Sequence, residues 1–496
     1  MSALGSVVVR KMSAGDFPRV VACFFGGKRW IEFTETIVQL FIPLLTFGRM
    51  PVLAVYMKQT RIALLGGGIA GVVLARELAR RDDLQVTLIE KEGRLGGLHR
   101  SHTINGLSYD IGAFVFDAQH QLFRTFPELS ASFHKQPHFS QSVTPEGTLD
   151  NYPLTLGGYV RDHGAVGTLL AAISLCAGRV RHYRRDTLGG FIRWHIGDRM
   201  YRHSGLQRYL ERFYGVPDAA IDVAFARQRL QEMFDGYTSK QLAKKIAARL
   251  IAHLPGSHHT SGHWVGWVPP REGFGAVYST IETLLNADGV DVKTSASIQQ
   301  ITRHGNQFNI TTTGGTEQFD RVISTIPIPS VLECLGIQPT FKLRYLKLLS
   351  LFYRLRGQVG YNGAFLYNFT PDGPWKRITT FSKYFGEQRG DHYFTVECTV
   401  PDNDQSSVAE KQHDFEEHIQ RLGLMRGTFH REGETTTANA YPIFEQGKGE
   451  SIRKLRQLVL DSGIEIAGRQ GQFRYIPSAV VAKESHQLAA QTRAVA

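Results

Sequence analysis

Cysteine is scarce in this sequence of 496 residues, which contains four. They are far apart and form no Cys-x-x-Cys pair: Cys23, Cys176, Cys334 and Cys398. This spacing excludes a dense disulfide framework and a cysteine-based metal site. We therefore expect ordinary buried thiols in a reducing compartment, so the expected location is the cytoplasm.

Metal-binding patterns are missing as well. His258, His259 and His263 lie close together, but no acidic or cysteine residue stands at ligand spacing from them. A metal site needs several ligands that converge on one ion. The sequence therefore predicts no metal.

The first part of the chain has no apolar run long enough for a membrane span. Residues 37–47 are strongly apolar, but residues 48–51 interrupt the run before residues 52–56. A spanning helix needs about 20 apolar residues. A signal peptide is also a poor fit, because the apolar run starts late and no clear cleavage site follows. We expect residues 1–56 to be a leader outside the fold, with Met57 as the natural start; a membrane-surface anchor is the alternative.

Acidic residues are fewer than basic ones: the sequence contains 45 Asp and Glu and 57 Lys and Arg, which gives a net charge of +12. An apolar stretch, residues 169–177, is followed by a basic run with Arg179, Arg181, Arg184 and Arg185. Residues 240–254 predict a second basic amphipathic helix. This balance suits a small anionic substrate or an acidic membrane surface, and a solvated helix face is the ordinary alternative. No recognised motif supports a nucleic-acid partner.

The most informative stretch is residues 61–90. An apolar strand at residues 62–65 breaks into a Gly-x-Gly-x-x-Gly turn, and a helical pattern and a second apolar strand follow. Gly66 would permit the tight turn, Gly68 would let a pyrophosphate approach, and Gly71 would let the helix pack on the strand. Glu90 ends the second strand and could accept hydrogen bonds from an adenosine ribose. The pattern predicts a dinucleotide site at a helix N-terminus.

The residues after Glu90 narrow the choice of dinucleotide. Residues 89–101, with Arg94, Gly96 and Gly97, resemble the FAD-binding superfamily of amine oxidases, protoporphyrinogen oxidases and UDP-galactopyranose mutases. In that family the Arg-x-Gly-Gly turn lies along the flavin phosphates and ribityl chain. An ordinary surface turn is the alternative.

The resemblance continues in order along the chain. Five segments match family positions: residues 110–117, 269–275, 290–301, 319–329 and 467–475. It implies that Gly112 lies beneath the flavin ring and that the strand at residues 290–301 brings the backbone of Ile298 to the adenine. It also implies a closing turn at the flavin, formed by Gly468, Arg469 and Tyr475. FAD is the expected cofactor.

Fold class and domain organisation follow from this order. We predict an α/β fold with a doubly wound, Rossmann-type FAD-binding domain and a second domain with a mixed sheet and helices for substrate. The expected division is a leader at 1–56, the FAD-binding domain at 57–150, 266–335 and 446–496, a helical cap at 151–265 and a substrate sheet at 336–445.

Substrate-binding candidates come from two segments. The turn at residues 214–217 and the following helix are similar to mutase-like members, where Arg227 or Arg229 could grip a diphosphate; an ion pair between helices is the alternative. Candidates beside the flavin are Arg271, Tyr361, Arg377, Tyr441 and Tyr475. We predict Arg271, Arg377 and Tyr441 as catalytic, although core packing explains the tyrosines equally well.

Two activities fit these features. The first is an FAD-dependent oxidoreductase of the amine-oxidase or protoporphyrinogen-oxidase type. The alternative is a redox-neutral, UDP-galactopyranose mutase-like enzyme that uses reduced flavin N5 on a nucleotide-linked sugar. The chain ending favours the mutase, but Phe114 and Ala479 stand where mutases carry His and Asp. FAD binding without catalysis stays open, and so does the substrate, an anionic nucleotide sugar or a lipid-linked molecule. A membrane-surface location is the alternative to the cytoplasm, and the oligomeric state is not determined.

Overall fold

The computed structural model describes residues 59–112, 115–152, 156–230, 264–402 and 404–493. The proposed leader, the basic helix at residues 240–254, the three clustered histidines and Phe114 lie outside these ranges. The described strands are, in chain order, β1 (Thr60–Leu65), β2 (Leu84–Ile89), β3 (Ser101–Ile104), β4 (Leu107–Asp110), β5 (His134–His138), β6 (Ser140–Val143), β7 (Leu149–Asn151), β8 (Trp264–Val268), β9 (Asp291–Lys293), β10 (Ile298–His304), β11 (Gln307–Thr312), β12 (Gly315–Phe319), β13 (Arg321–Ser324), β14 (Tyr345–Val359), β15 (Phe365–Asn368), β16 (Arg377–Thr380), β17 (His392–Val400), β18 (Met425–Pro442) and β19 (Glu465–Ile466).

Helices connect these strands and cover the sheets. The described α-helices are α1 (Ile69–Ala79), α2 (Gln121–Thr125), α3 (Leu156–Arg181), α4 (Leu188–His203), α5 (Leu206–Tyr214), α6 (Val223–Arg229), α7 (Gly273–Ala287), α8 (Ile328–Cys334), α9 (Ser382–Phe385), α10 (Val408–Arg421), α11 (Gly449–Asp461), α12 (Gly468–Gly471) and α13 (Ser478–Gln491). Short 3₁₀ turns lie at Pro127–Ala131 and Asp218–Ala220.

The predicted βαβ unit is present. Strands β1 and β2 pair in parallel, and helix α1 crosses between them. Both strands are buried along most of their length, and the apolar side chains of β1 pack into two core clusters, one on each face of the sheet. The inner side chains of α1, including Val72, Val73 and Leu78, pack into the same core cluster as β1 and β2.

The parallel sheet has five strands in the order β19-β13-β1-β2-β9, and all of its pairs are parallel. Strands from three distant parts of the chain therefore build one sheet. This is the doubly wound, Rossmann-type core predicted from the sequence. Strand β13, from the segment at residues 319–329 that matches the family, lies beside β1.

The prediction of a single strand over residues 290–301 is wrong. The chain forms β9 in the parallel sheet and then β10 in a three-stranded antiparallel sheet with β11 and β12. Ser295 between them has a positive φ of 55°, and its amide donates to the carbonyl of Glu92. The amide of Ala296 donates to the carbonyl of Glu90. These bonds tie the chain to the loop after β2 and break the strand.

A seven-stranded mixed sheet forms the second layer, in the order β18-β14-β17-β16-β15-β6-β7. Strands β6 and β7 join it through a parallel pair with β15. The proposed boundary between residues 150 and 151 therefore falls inside β7. The other domain boundaries remain predictions.

Helices α3 to α6 form the expected helical region up to residue 230. The turn after α5 has Gly215 in the left-handed conformation with φ of 65°, and its amide donates to the carbonyl of Glu211. The expectation of buried cysteines is wrong for Cys176, which lies exposed on the outer side of α3. Cys334 and Cys398 are buried thiols, as expected.

Candidate functional site

The glycine-rich turn after β1 has the geometry that its sequence predicts. Gly66 has a φ of +103°, a conformation that glycine adopts without strain. A Cβ on Gly71 would overlap the carbonyl oxygen of Gly66, so only glycine allows α1 to lie this close to the end of β1. Gly68 caps α1 without a side-chain hydrogen bond, and the first turn of the helix has no acidic residue.

The carboxylate of Glu90 lies beside this turn. Its Oε2 accepts a hydrogen bond of 2.6 Å from the amide of Gly67, and its Oε1 accepts one of 2.9 Å from the amide of Glu92. Glu90 is buried at the end of β2. The strand end therefore places an acidic acceptor next to the helix N-terminus, as the adenosine half of a dinucleotide requires.

The second glycine pair packs against the first. The amide of Gly96 donates to the carbonyl of Gly67 at 2.9 Å, and a Cβ on Gly97 would lie 3.0 Å from the Cα of Gly68. Gly96 and Gly97 both have a positive φ. The side chain of Arg94 is exposed at the outer edge of this turn. Backbone without side chains thus surrounds an uncapped helix N-terminus, a cradle that fits a diphosphate.

The chain after β4 reaches a small cavity beside the seven-stranded sheet. Asp110, Gly112 and Pro269 line it from one side, and Phe365 and Thr379 line it from the other. Among the described residues, the buried Oγ1 of Thr379 has no hydrogen-bond partner. The segments that the sequence assigned to the flavin ring therefore meet the substrate sheet here, with one unused polar atom.

Asp110 is buried at this cavity. Its Oδ1 accepts hydrogen bonds from the hydroxyl of Ser101 and the amide of Phe274, the latter at 3.2 Å. Burial raises the pKa of Asp110 to about 6, although both hydrogen bonds favour the ionised form and oppose that shift. Asp110 thus fixes the start of α7 against β4.

The predicted closing turn, at residues 467–475, also reaches the first glycine turn. A Cβ on Gly468, which has a φ of +71°, would lie 2.7 Å from the Cβ of Ala70 in the first turn of α1. Ile298, at the start of β10, is partly buried against the large core cluster. The structure thus brings Gly468 directly to the predicted cofactor site, and Ile298 lies on a separate sheet from the glycine turns.

Four basic side chains surround Tyr475, and we call them the cationic cluster: Arg229, Lys376, Arg377 and Arg469. The guanidinium of Arg469 lies 4.5 Å from the centre of the Tyr475 ring and 5.3 Å from that of Tyr441. The guanidinium of Arg229 lies 5.8 Å from the Tyr475 ring. Both arginines considered at the end of α6 are exposed, and Arg229 is the one that reaches the Tyr475 ring and joins the cluster.

Glu397 is the carboxylate that pairs with this cluster. It is fully buried on β17, where its Oε1 accepts a hydrogen bond of 2.7 Å from Arg377 Nε and its Oε2 lies 3.4 Å from Lys376 Nζ. Lys376 also donates to the hydroxyl of Tyr441 at 2.8 Å. Glu397 thus pairs with two of the four cations, and within the described residues no carboxylate pairs with Arg229 or Arg469, so the cluster has an excess of positive charge.

The electrostatics follow from this imbalance. Burial raises the pKa of Tyr475, but Lys376, Arg229 and the other two cations lower it by more, and the net shift is downward. Burial lowers the pKa of Lys376, but Tyr441 and Glu397 more than offset it, so this amine stays charged. The cluster therefore favours negative charge beside it.

Aromatic rings extend the cluster into a row. Tyr152 stacks on Tyr367 with ring centres 3.9 Å apart, and Tyr209 stacks on Phe369 at 4.7 Å. Phe213 connects these rings to the cluster, because its ring centre lies 5.0 Å from that of Tyr441. Tyr152, Tyr209 and Tyr367 are partly exposed, so their rings line an accessible surface.

Two predicted residues lie outside the cluster. Arg271 is exposed in the turn before α7, where it lies near Tyr393. Burial raises the pKa of Tyr393 to about 12, and the charge of Arg271 opposes that shift. Tyr361 is buried, and its hydroxyl forms a hydrogen bond of 2.7 Å with Thr380. Tyr361 therefore packs in the core of the substrate sheet.

Sequence reasoning missed Lys376, Glu397 and the row of Tyr152, Tyr209 and Tyr367. Lys376 precedes the predicted Arg377, so a second basic residue beside it was a visible signal. Glu397 reaches the site because β17 pairs with β16 with Glu397 opposite Arg377. Only strand pairing reveals that partner. Within the described ranges, no group of three or more metal-ligating side chains converges, and the histidine cluster lies outside them.

Comparison with known proteins gives one family. Residues 69–355 match the family model described as flavin containing amine oxidoreductase. This match covers more than half of the chain and includes Gly71, the second glycine pair, β13 and part of the substrate sheet, and it begins just after Gly66 and Gly68. No curated protein matches the sequence.

Solved structures with the same fold cover most of the chain. A reduced UDP-galactopyranose mutase is 16% identical with a TM-score of 0.68, covering 87% of this chain and 95% of that one. A protein from Exiguobacterium sp. 255-15 described as a protoporphyrinogen oxidase is 17% identical with a TM-score of 0.62, covering 88% and 100%. Putrescine oxidase bound to putrescine is 13% identical with a TM-score of 0.54, covering 87% and 98%. At these identities the likeness shows the fold alone.

Proposed function

Because the chain belongs to the flavin-containing amine oxidoreductase family, we propose that it is an FAD-dependent oxidoreductase whose substrate carries a negatively charged group. The observation that carries the proposal is the cationic cluster around Tyr475, with Glu397 as its paired carboxylate. The FAD itself is expected at the two glycine turns and Glu90. The substrate is expected between the cavity at Thr379 and the aromatic row.

Charge supports an anionic substrate over an amine. Buried cations are costly unless an anion or a hydrogen-bond acceptor faces them. Glu397 satisfies Arg377 and Lys376, whereas Arg469 Nε has no hydrogen-bond partner within the described residues. A phosphate or carboxylate would provide that acceptor. A protonated amine would meet repulsion from all four side chains.

The geometry of β16 supports a path from this anion site to the flavin site. Arg377 and Thr379 lie two residues apart on β16, so they share one face of the strand. Thr379 lines the cavity with Gly112 and Pro269, and Arg377 belongs to the cationic cluster. A substrate anchored by its anion at Arg377 would therefore extend toward the segment expected to hold the flavin ring.

Each residue of the site then has a defined task. The bound FAD would supply the electron chemistry. Arg377 is held in one orientation by Glu397, so it can bind an anionic oxygen without a further loss of side-chain freedom. The surrounding cations lower the pKa of Tyr475, which makes its hydroxyl a candidate proton donor or acceptor for the substrate. The aromatic row offers flat faces to an apolar or planar part of the substrate.

The test uses the visible spectrum of the FAD-loaded protein. Pyrophosphate and uridine diphosphate serve as anionic probes, and putrescine serves as a cationic probe. We expect the anions to perturb the flavin spectrum or its redox behaviour and putrescine to have no effect. Lys376→Met and Arg469→Met should each weaken the anion effect at least about tenfold.

Lys448→Met is the matched control, since Lys448 is an exposed lysine beside Phe341 and away from the cluster. It should bind the anions as the unaltered protein does. If putrescine binds and the anions do not, the anionic-substrate proposal is wrong. If the protein neither retains nor takes up FAD, the oxidoreductase proposal is wrong as well.

A mutase-like activity is the second candidate. The cationic cluster favours it, because a nucleotide-linked sugar presents a diphosphate. Against it, Phe114 and Ala479 stand where the mutases carry His and Asp. Conversion of UDP-galactopyranose after flavin reduction, and none before, would support the mutase. Steady turnover with an electron acceptor and no added reductant would support the oxidoreductase.

A further inference from the structure

Helix α3 turns its apolar side chains away from the protein. Val166, Leu169, Ile173 and Val180 are 74%, 62%, 57% and 81% exposed. Together with Leu170 they recur at helical spacing, so they form one stripe, which we call the α3 ridge. A surface helix of a soluble domain normally buries such a stripe and exposes its polar face. Helix α3 instead exposes its apolar stripe.

Small and polar residues cover the inner face of α3. A Cβ on Gly178 would lie 2.6 Å from the carbonyl oxygen of Arg193 on α4, so the two helices approach closely there. The hydroxyl of Ser174 accepts a hydrogen bond of 2.9 Å from the amide of Arg199. These contacts fix the rotation of α3 about its axis. The outward direction of the ridge is therefore built into the packing.

The ridge lies on an uncharged stretch of α3 as far as Gly178, and Arg179 precedes its last residue, Val180. Residues 164–178 contain no Asp, Glu, Lys or Arg, and at 1.5 Å per residue the ridge from Val166 to Val180 is about 21 Å long. Among the described residues, the stretch His163–Arg181 is long and apolar enough to cross a bilayer by length and composition. However, Ser174 and Gly178 hold it along α4, so it lies against the body of the protein.

Basic and aromatic side chains border the end of the ridge. Arg181 and Arg184 are exposed, and Tyr183 is 77% exposed. The guanidiniums of Arg179 and Arg185 lie 5.1 Å and 4.3 Å from the ring centre of Trp194. Basic residues and amphipathic aromatic rings beside an apolar face are typical of surfaces at the headgroup level of a membrane.

We propose that the α3 ridge is a membrane-docking surface. It inserts its apolar side chains among the acyl chains of one leaflet, and Arg181 and Arg184 contact anionic lipid headgroups. The occupant must be apolar over the ridge and negatively charged at its end. A leaflet with anionic phospholipid supplies both, whereas the ridge of a second copy would supply apolar contact and further positive charge. This proposal does not depend on the proposed function.

Flotation of the full-length, FAD-loaded protein with lipid vesicles tests the proposal. One set of vesicles is phosphatidylcholine, and the other is phosphatidylcholine mixed with phosphatidylserine. We expect binding to the mixed vesicles that weakens as salt is added, because screening reduces the contribution of the arginines. Leu169→Glu with Ile173→Glu should lower the vesicle-bound fraction at least about tenfold. Arg181→Glu with Arg184→Glu should abolish the preference for phosphatidylserine.

Matched controls come from helix α11, which has exposed apolar and basic residues outside the ridge. Leu458→Glu with Leu460→Glu and Arg453→Glu with Lys454→Glu should bind vesicles as the unaltered protein does. Flavin absorbance and the melting temperature verify that each variant folds. Failure of the unaltered protein to bind either vesicle overturns the proposal, and so does equal binding by the ridge variants. A dimer that dissociates on Leu169→Glu, without vesicle binding, assigns the ridge to a second copy instead.

Discussion

The guanidinium of Arg469 lies 4.5 Å above the ring of Tyr475, six residues further along the chain. The sequence resemblance assigned both residues to the flavin. In the structure the helix α12 starts at the glycine turn of the cofactor site, while its arginine reaches into the cationic cluster. This pair therefore joins the cofactor half of the site to the substrate half.

A tyrosine titration tests the electrostatics of this pair. The four cations lower the pKa of Tyr475, so its phenol should ionise before ordinary tyrosines do. We expect Tyr475→Phe to remove the earliest step in a titration of tyrosinate absorbance. Tyr361→Phe is the control, because burial raises the pKa of Tyr361 and its loss should leave the early step unchanged. An early step that survives in Tyr475→Phe would contradict the assignment.

Glu397 should be a stability determinant of the substrate half. It is fully buried and pairs with Lys376 and Arg377, so Glu397→Gln leaves two cations in a dry environment. We expect this variant to lose about 3 kcal/mol of unfolding free energy. The exposed ion pair Arg431–Glu434 provides the comparison, and Glu434→Gln should change the stability by less than about 1 kcal/mol. Equal losses in denaturant titrations would argue against a buried pair.

Gly71→Ala should damage the fold itself. The new methyl group would overlap the carbonyl oxygen of Gly66, and the backbone would have to move apart. We expect a loss of about 1–3 kcal/mol in thermal or denaturant unfolding, together with loss of FAD. Gly449→Ala is the helix-terminal control, because its Cβ would meet nothing closer than 3.9 Å. That variant should be unchanged or slightly more stable.

Gly68→Ala should separate folding from cofactor binding. In the FAD-free protein its methyl group would meet only the Cα of Gly97, at 3.8 Å, so the fold should tolerate it. The same methyl group would occupy the cradle at the N-terminus of α1. We expect an unchanged circular dichroism spectrum and at least about tenfold weaker FAD affinity. Full retention of flavin by this variant would count against the glycine turn as the phosphate site.

Asp110 should give the stability a distinct pH dependence. Its pKa is raised from 3.8 to about 6, so between these values the folded protein binds more protons than the unfolded chain. Stability should therefore fall as the pH rises through this window, by on the order of 1–3 kcal/mol from this group. Asp110→Asn should remove that part of the slope, whereas Asp461→Asn, at an exposed helix end, should keep it. Unfolding of the FAD-free protein in denaturant at several pH values measures the effect.

Sequence reasoning correctly placed the residues whose role depends on the backbone conformation of their own short segment. The close contact of Gly71 is with the carbonyl oxygen of Gly66, five residues earlier, so spacing alone predicts it. Arg377 was predicted from a motif and does belong to the substrate half. Arg271 was predicted from the same kind of evidence, but the turn before α7 leaves it exposed and outside the cationic cluster.

The sequence by itself determined the βαβ unit, the FAD-binding core and the order of its parts, because glycine turns and apolar strands encode local conformation. Tertiary structure decided what no local pattern carries. It placed Glu397 opposite Arg377 through strand pairing, and it gathered Arg229, Lys376 and Arg469 from three distant segments. It also decided that α3 exposes its apolar stripe, since the contact of Gly178 with α4 sets the rotation of that helix. The excess charge of the cationic cluster and the exposure of the α3 ridge are properties of the folded protein, because each depends on contacts between segments that are distant in the sequence.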